Sequence, residues 1–403
     1  MNLSNNQLTG LIPSNITDLE SIEHLDLSMN EFYGQIPPQI GVLDELVLLG
    51  LYGNELDGII PESITDVLNL QYLLLHNNSL VGSIPNELGN LSQMRILSLW
   101  DNHLNGPIPE SIGSLTQLSE LYLNNNMLNE DIPSQLFNIV PLEKLYVSDN
   151  QLSGEIPSEL GNLINLEHLY LWNNQFTGTF PQGIGNLTNL TQLNIGMNQF
   201  SGDIPNQIGN LTSLNKLYLL NNQFSGSIPS TIGNLVNLNY LFLSANQLGG
   251  TIPEEICELN ITWEGADEEG DPFYSFEGNK LCSPYPNCII NIGYQDTSNC
   301  AFASTFTDLI PFSYNLSDAY PNPFNPSTKI SYELPKSEFV RLIIYDIMGR
   351  EIKQIVNSGQ RAGYKSIIWD ATNNLGQQVS PGMYIYTIHA GAFVKSKKVI
   401  LLK

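Results

Sequence analysis

Aromatic side chains recur in this chain at a spacing of 24 residues. Tyr122, Tyr146, Tyr170, Tyr218 and Phe242 make one series; Tyr52, His76, Trp100 and Trp172 make a second, two residues further along the same unit. Rigid, amphipathic rings are favoured contact residues, and Asp26, Asp101, Glu120 and Asp149 add negative charge near them. That chemistry is recognition. Bond-making chemistry has no comparable signal: there is no G-x-S-x-G elbow, phosphate loop, H-E-x-x-H helix or kinase set. The histidines, His24, His76, His103, His168 and His389, are scattered, with no Ser or Cys evidently placed to pair with them. The expectation is a non-enzyme with no cofactor or metal.

The elements that position the rings follow from a repeat. Asn recurs from Asn6 to Asn246 and Pro from Pro13 to Pro253, each eleven times at steps of 24 without an insertion. The unit is well shown by "LEHLYLWNNQFTGTFPQGIGNLTN", residues 166–189. Its L-x-L pair, Leu169 and Leu171 here, points one way from a short strand because side chains alternate. The Asn is suited to bond backbone groups of the following turn, Gly permits an unusual backbone angle, and Pro fixes φ where the chain turns back. One coil cannot bury its leucines, but a stack can. Neighbouring strands about 4.8 Å apart would line up Tyr122, Tyr146 and Tyr170 in one row and Tyr52, His76 and Trp100 in another. Ring packing also stabilises a sheet, so each tyrosine serves equally as scaffold; Trp100 and Trp172 are the stronger contact candidates.

These residues resemble leucine-rich repeats of the 24-residue class known from plant receptor ectodomains. The resemblance covers residues 1–256 and implies a curved right-handed solenoid of eleven coils with a parallel concave sheet. Two units depart from the pattern. Glu130 replaces the turn Gly, which predicts an altered turn, and Phe180 replaces the Ile before Pro181, one apolar filler for another. The first unit begins at its strand with no capping segment, so an N-terminal portion is expected to be missing.

All four cysteines, Cys257, Cys282, Cys288 and Cys300, fall after the last repeat, as expected of a disulfide-stapled cap over 257–300 in an oxidising compartment. Their spacings match no zinc knuckle. "FEGNKLCSPYPNC", residues 276–288, resembles the C-terminal cap of plant-type repeat proteins, which implies Cys282 with Cys288 and Cys257 with Cys300; the other connectivities stay open. The stretch "ADEEGD", 266–271, lacks the ligand period of a calcium loop and reads as solvated.

After a linker, 301–317, the pattern changes. Four prolines in "AYPNPFNPSTKISYELP" precede period-two runs such as "FVRLIIYDIMG" and "GMYIYTIHAG", predicting an immunoglobulin-like sandwich over 318–403 with Trp369 and Tyr384 in its core. Those segments, with "KKVILLK" at the end, resemble the C-terminal sorting domain of type IX secretion. The resemblance implies a Gram-negative bacterium, secretion or display on the outer surface, and the type IX machinery as a partner. The charge changes at the same place. Of 15 basic and 40 acidic residues, 11 and 6 lie from Asp318 onward, leaving 4 and 34 before it, which disfavours nucleic acid. No run of 18 apolar residues predicts a transmembrane helix. The expected function is an exported protein that binds a protein or polysaccharide on its concave face. A structural matrix component and an enzyme-inhibitor-like repeat protein are the alternatives.

Overall fold

The computed structural model describes residues 1–265, 272–300, 311 and 313–402. The acidic stretch 266–271 and most of the 301–317 linker lie outside the described residues. The chain divides into two compact units, Met1–Cys300 and Ala301–Lys403.

The first unit is a leucine-rich repeat solenoid. Ten three-residue strands, from His24–Asp26 through Tyr240–Phe242, pair in parallel with a register step of 24 residues, and the two-residue strand Tyr274–Ser275 completes an eleven-stranded sheet. The inward leucine of each strand forms a spine: Leu97, Leu121, Leu145, Leu169, Leu193, Leu217 and Leu241 are all fully buried. On the opposite side each Pro-x-x-Ile/Leu-Gly-Asn run winds into a single 3-10 turn, as in Gln182–Asn186. Short lateral strands pair beside the main sheet, and Phe176, Phe200 and Phe224 stack beneath them at 6.1–6.2 Å. Phe180 is buried and meets Phe200 edge-on at 5.5 Å, so the apolar swap at that position is a filler.

The recurring Asn ties successive coils together. Asn102 Nδ2 donates to the carbonyls of Leu99, Trp100 and Leu75, the last in the preceding coil, at 3.0–3.3 Å. Its Oδ1 accepts from the Leu80 amide at 3.0 Å, so the buried amide is satisfied on both sides. Glu130 corrects one expectation. It holds φ at +64°, in the range of the turn glycines around it, so the turn survives with a non-glycine residue in the left-handed region.

A twelfth coil closes the solenoid, one more than the sequence pattern counts. From Leu217 to Leu241 the coil-to-coil step is 24 residues, and from Leu241 to Tyr274 it is 33. Asn279 continues the amide ladder, donating to Leu243 and Phe276 carbonyls at 2.9 Å and accepting from the Leu248 amide at 3.0 Å. The lateral step grows equally, from 22 between Gly202 and Phe224 to 31 between Gly249 and Lys280. Cys288 is also 31 residues after Cys257, and these two are bridged, with Cα atoms 5.7 Å apart. Cys282 joins Cys300. The pairing implied by resemblance, Cys282 with Cys288 and Cys257 with Cys300, is therefore wrong. Coil stacking puts Cys288 on the turn Glu254–Glu258 that carries Cys257. It leaves Cys282, just past the strand Lys280–Leu281, to meet Cys300, both sulfurs facing the Lys280 carbonyl.

The second unit is an all-β, immunoglobulin-like sandwich. One sheet joins Asn315–Leu316, Thr328–Leu334 and Gly363–Trp369; the other joins Glu351–Gln360, Glu338–Asp346, Gly382–Ala390 and Phe393–Leu401, antiparallel throughout. Trp369, Tyr384 and Tyr386 are buried between them with Phe324. Tyr386 Oη donates to the Ser317 carbonyl at 2.8 Å and accepts from the Ala319 amide at 2.9 Å, pinning the proline-rich lead-in to the core.

Candidate functional site

Alternation along each strand sends the residues flanking the spine leucine outward on the concave sheet, so three concave positions recur per coil. Both aromatic rows form as the 24-residue spacing requires. Tyr52 and His76 stack at 4.4 Å, and His76 and Trp100 at 4.9 Å. Tyr122 and Tyr146 lie 5.1 Å apart, Tyr146 and Tyr170 stack at 4.5 Å, and Tyr218 and Phe242 stack at 4.9 Å. All are half-buried.

The rings are locked by a third series, the residue before each spine leucine; the sequence reading named Glu120 and His168 singly but not the series. Glu120 accepts from the Tyr122 hydroxyl at 2.7 Å and from Lys144 Nζ at 3.0 Å. Tyr146 Oη pairs with His168 Nδ1 at 2.7 Å, and the Tyr170 hydroxyl donates to Gln192 Oε1. Burial pushes the Tyr146 phenol up to about 12, with Tyr170 and Glu120 adding to it; burial and then Glu120 raise Tyr122 further. The His168 imidazole is held below its usual range by burial and by Lys144. His76, stacked between two rings with Ser98 Oγ at 2.9 Å from Nδ1, is lowered by burial to about 4. At neutral pH both imidazoles are uncharged.

The two ends of the concave face differ. Toward the N-terminus, Leu48, Tyr72, Leu74 and Ile96 flank the Tyr52–His76–Trp100 stack. Toward the cap there is an open hollow of about 680 Å³. Trp172, Leu220, Phe242 and Pro272 supply its apolar lining, and Asn194, Lys216 and Asp149 its polar lining. Trp172 has no aromatic partner among the described residues. It rests over Gly196, where a Cβ would come within 2.6 Å of ring carbons Cε3 and Cζ3. Asp149 accepts from Asn173 Nδ2 at 2.8 Å, Asp101 from Asn125 Nδ2 at 3.0 Å, and Asp26 from Asn2 Nδ2 at 3.2 Å, so these carboxylates also brace the coil turns. Among the described residues no group of three or more His, Cys, Asp or Glu side chains is placed to hold a metal, and no helix is long and apolar enough to cross a membrane.

This architecture makes the chain a member of the leucine-rich repeat family. A leucine-rich repeat region model matches residues 146–258, and a second repeat model matches 1–19, 21–43, 69–91 and 93–115. A leucine-rich repeat protein of Leptospira interrogans, LIC12759, is 33% identical with a TM-score of 0.56, over 71% of this chain and 67% of its own. The plant peptide hormone receptor RGFR1, solved in complex with RGF2, is 38% identical with a TM-score of 0.65, over 68% of this chain and 43% of its own. PEPR1, solved with AtPEP1, is 35% identical with a TM-score of 0.59, over 69% of this chain and 41% of its own. The chain thus spans about two fifths of the length of RGFR1 and of PEPR1, and its repeats resemble ligand-binding ectodomains. Residues 319–392 match the FlgD Ig-like domain. No curated protein matches.

Proposed function

We propose that this is an exported, non-enzymatic recognition protein whose concave sheet binds a polypeptide, with the C-terminal sandwich acting as its type IX sorting domain. The observation that carries the binding half is the way the rings are used. Apart from Trp172, the rings of both rows pack against one another, which occupies much of their faces and leaves mainly their edges for a ligand. A sugar recognised by stacking needs free ring faces. An extended polypeptide instead makes use of ring edges, side-chain amides and one open apolar hollow. The neighbouring plant peptide hormone receptor RGFR1, solved in complex with RGF2, supports the same direction. The two disulfides fit an oxidising compartment outside the cytosol.

The sorting half rests on the resemblance of "YPNPFNPSTKISYELP" and "KKVILLK" to type IX sorting domains, with the Ig-like match over the same region. Removal of residues 309–403 is expected to abolish release from a type IX-competent host; normal release of the truncated protein contradicts the role. For the binding half, a peptide array and a glycan array are probed with the full chain. Binding to peptides that weakens in Trp172→Ala is expected. Binding confined to glycans overturns the assignment.

A further inference from the structure

Lysine and arginine are scarce in the repeat unit. Arg95, Lys144, Lys216 and Lys280 are the only ones before Ala301. Two of the four stand on the concave sheet at the same position of their coils, just before Leu145 and Leu217. Lys144 is neutralised by Glu120 at 3.0 Å. Lys216 lines the hollow and has no carboxylate within ion-pair distance among the described residues. Its Nζ sits 5.2 Å from the centre of the Tyr240 ring, a contact that orients the ammonium and leaves its hydrogen-bonding capacity unspent. Beside it lies the apolar lining of Trp172, Leu220 and Phe242. On the far side of Trp172 the Ser148 hydroxyl, in a residue only 7% exposed, lines the same hollow and has no hydrogen-bond partner among the described residues.

Resting on the proposed polypeptide-binding role, we infer that the hollow selects a polypeptide segment in which an acidic side chain adjoins a bulky apolar one. The carboxylate meets Lys216, and the apolar side chain packs into the lining formed by Trp172, Leu220 and Phe242. The global charge of the unit argues for basic partners in general, since long-range fields act on approach. At contact distance the local group decides, because salt screens charges beyond about 8–10 Å while a partly buried pair is screened much less. The unit then repels acidic chains at long range and admits one that also fills the apolar site, which makes the combination of charge and bulk the discriminating feature.

The test selects binders to the full chain from a displayed library of random peptides. The peptides are fused at their C-termini, so carboxylates come from side chains alone. Selected sequences are expected to pair Asp or Glu with a neighbouring Trp, Phe, Leu or Ile. A selected peptide should lose about tenfold or more in affinity for Lys216→Glu and recover when its acidic residue is changed to Lys. Trp172→Ala should abolish the apolar preference while keeping the acidic one. Circular dichroism on each variant checks the fold. Binders without acidic enrichment, or binders indifferent to Lys216→Glu, overturn the inference and leave the polypeptide-binding role standing. Failure of the wild-type chain to select any peptide overturns that role as well.

Discussion

The indole of Trp172 rests over the bare Cα of Gly196, one strand away on the concave sheet, at a position where earlier coils carry Tyr52, His76 or Trp100. Room for the ring exists because the neighbour has no side chain: an added Cβ would stand 2.6 Å from two ring carbons. Gly196→Ala therefore displaces the indole. The expected result is a shifted tryptophan emission spectrum, a stability loss of about 1 kcal/mol from local overpacking, and weaker peptide binding. In a Trp172→Phe background the same glycine change should leave the emission spectrum unaltered.

The amide ladder predicts a gradient of sensitivity. Asn102 is 5% exposed and makes four backbone hydrogen bonds. Asn102→Ala leaves the Leu80 amide and carbonyls of two coils without that partner. Stranded buried groups cost about 1–3 kcal/mol each, so chemical denaturation should show a loss of about 3 kcal/mol or more. Asn6, exposed in the first coil and bonded through Nδ2 to two carbonyls, should cost well under half as much when changed to Ala.

Most of this architecture is legible in the sequence because a coil has few degrees of freedom. Once Asn and Pro recur at a fixed step, strand register follows, and with it both aromatic rows. Two features were hidden. The twelfth coil escaped because its Asn279 follows Asn246 by 33 residues, so a fixed period of 24 ends one coil early, and the cysteine pairing was taken from the resemblance to plant-type caps without that coil in view. Shifting the register by the nine inserted residues would have placed Cys288 on Cys257. The hollow was hidden differently. It depends on a glycine at 196 and a lysine at 216, neither of which breaks the repeat pattern or belongs to an aromatic series.

Disulfide mapping checks the cap. Proteolysis without reduction, followed by mass spectrometry, should recover a linked pair containing Cys257 and Cys288 and another containing Cys282 and Cys300. Replacing Cys257 and Cys288 together by Ser should cost about 2–4 kcal/mol, as expected for a loop closed over 31 residues. The loss should fall on the last coils first, because each coil contacts only its neighbours.

Acid should loosen the N-terminal half of the concave face through His76. Its folded-state value of about 4 lies below the ordinary value of 6.5, with burial as the cause. The unfolded chain therefore binds more protons between those limits, and stability falls as pH drops from 6.5 toward 4. Above 6.5 both states are neutral at this site and the dependence vanishes. In His76→Phe, which keeps a ring between Tyr52 and Trp100, the fall in Tm from pH 7 to pH 4.5 should be smaller than in the wild type. An equal fall in both proteins contradicts the assignment.

The location of binding is tested most directly by blocking the hollow at one point. Asn194 lies between Tyr170 and Tyr218 on the concave sheet and lines the hollow, whereas Asn105 lies on the lateral strand His103–Gly106. With a peptide selected on the wild-type chain, affinity is measured by titration calorimetry for Asn194→Arg and for Asn105→Arg. The expected result is a loss of about tenfold or more for the concave variant and an unchanged affinity for the lateral one. Equal affinities, or a loss confined to Asn105→Arg, would contradict recognition by the concave face.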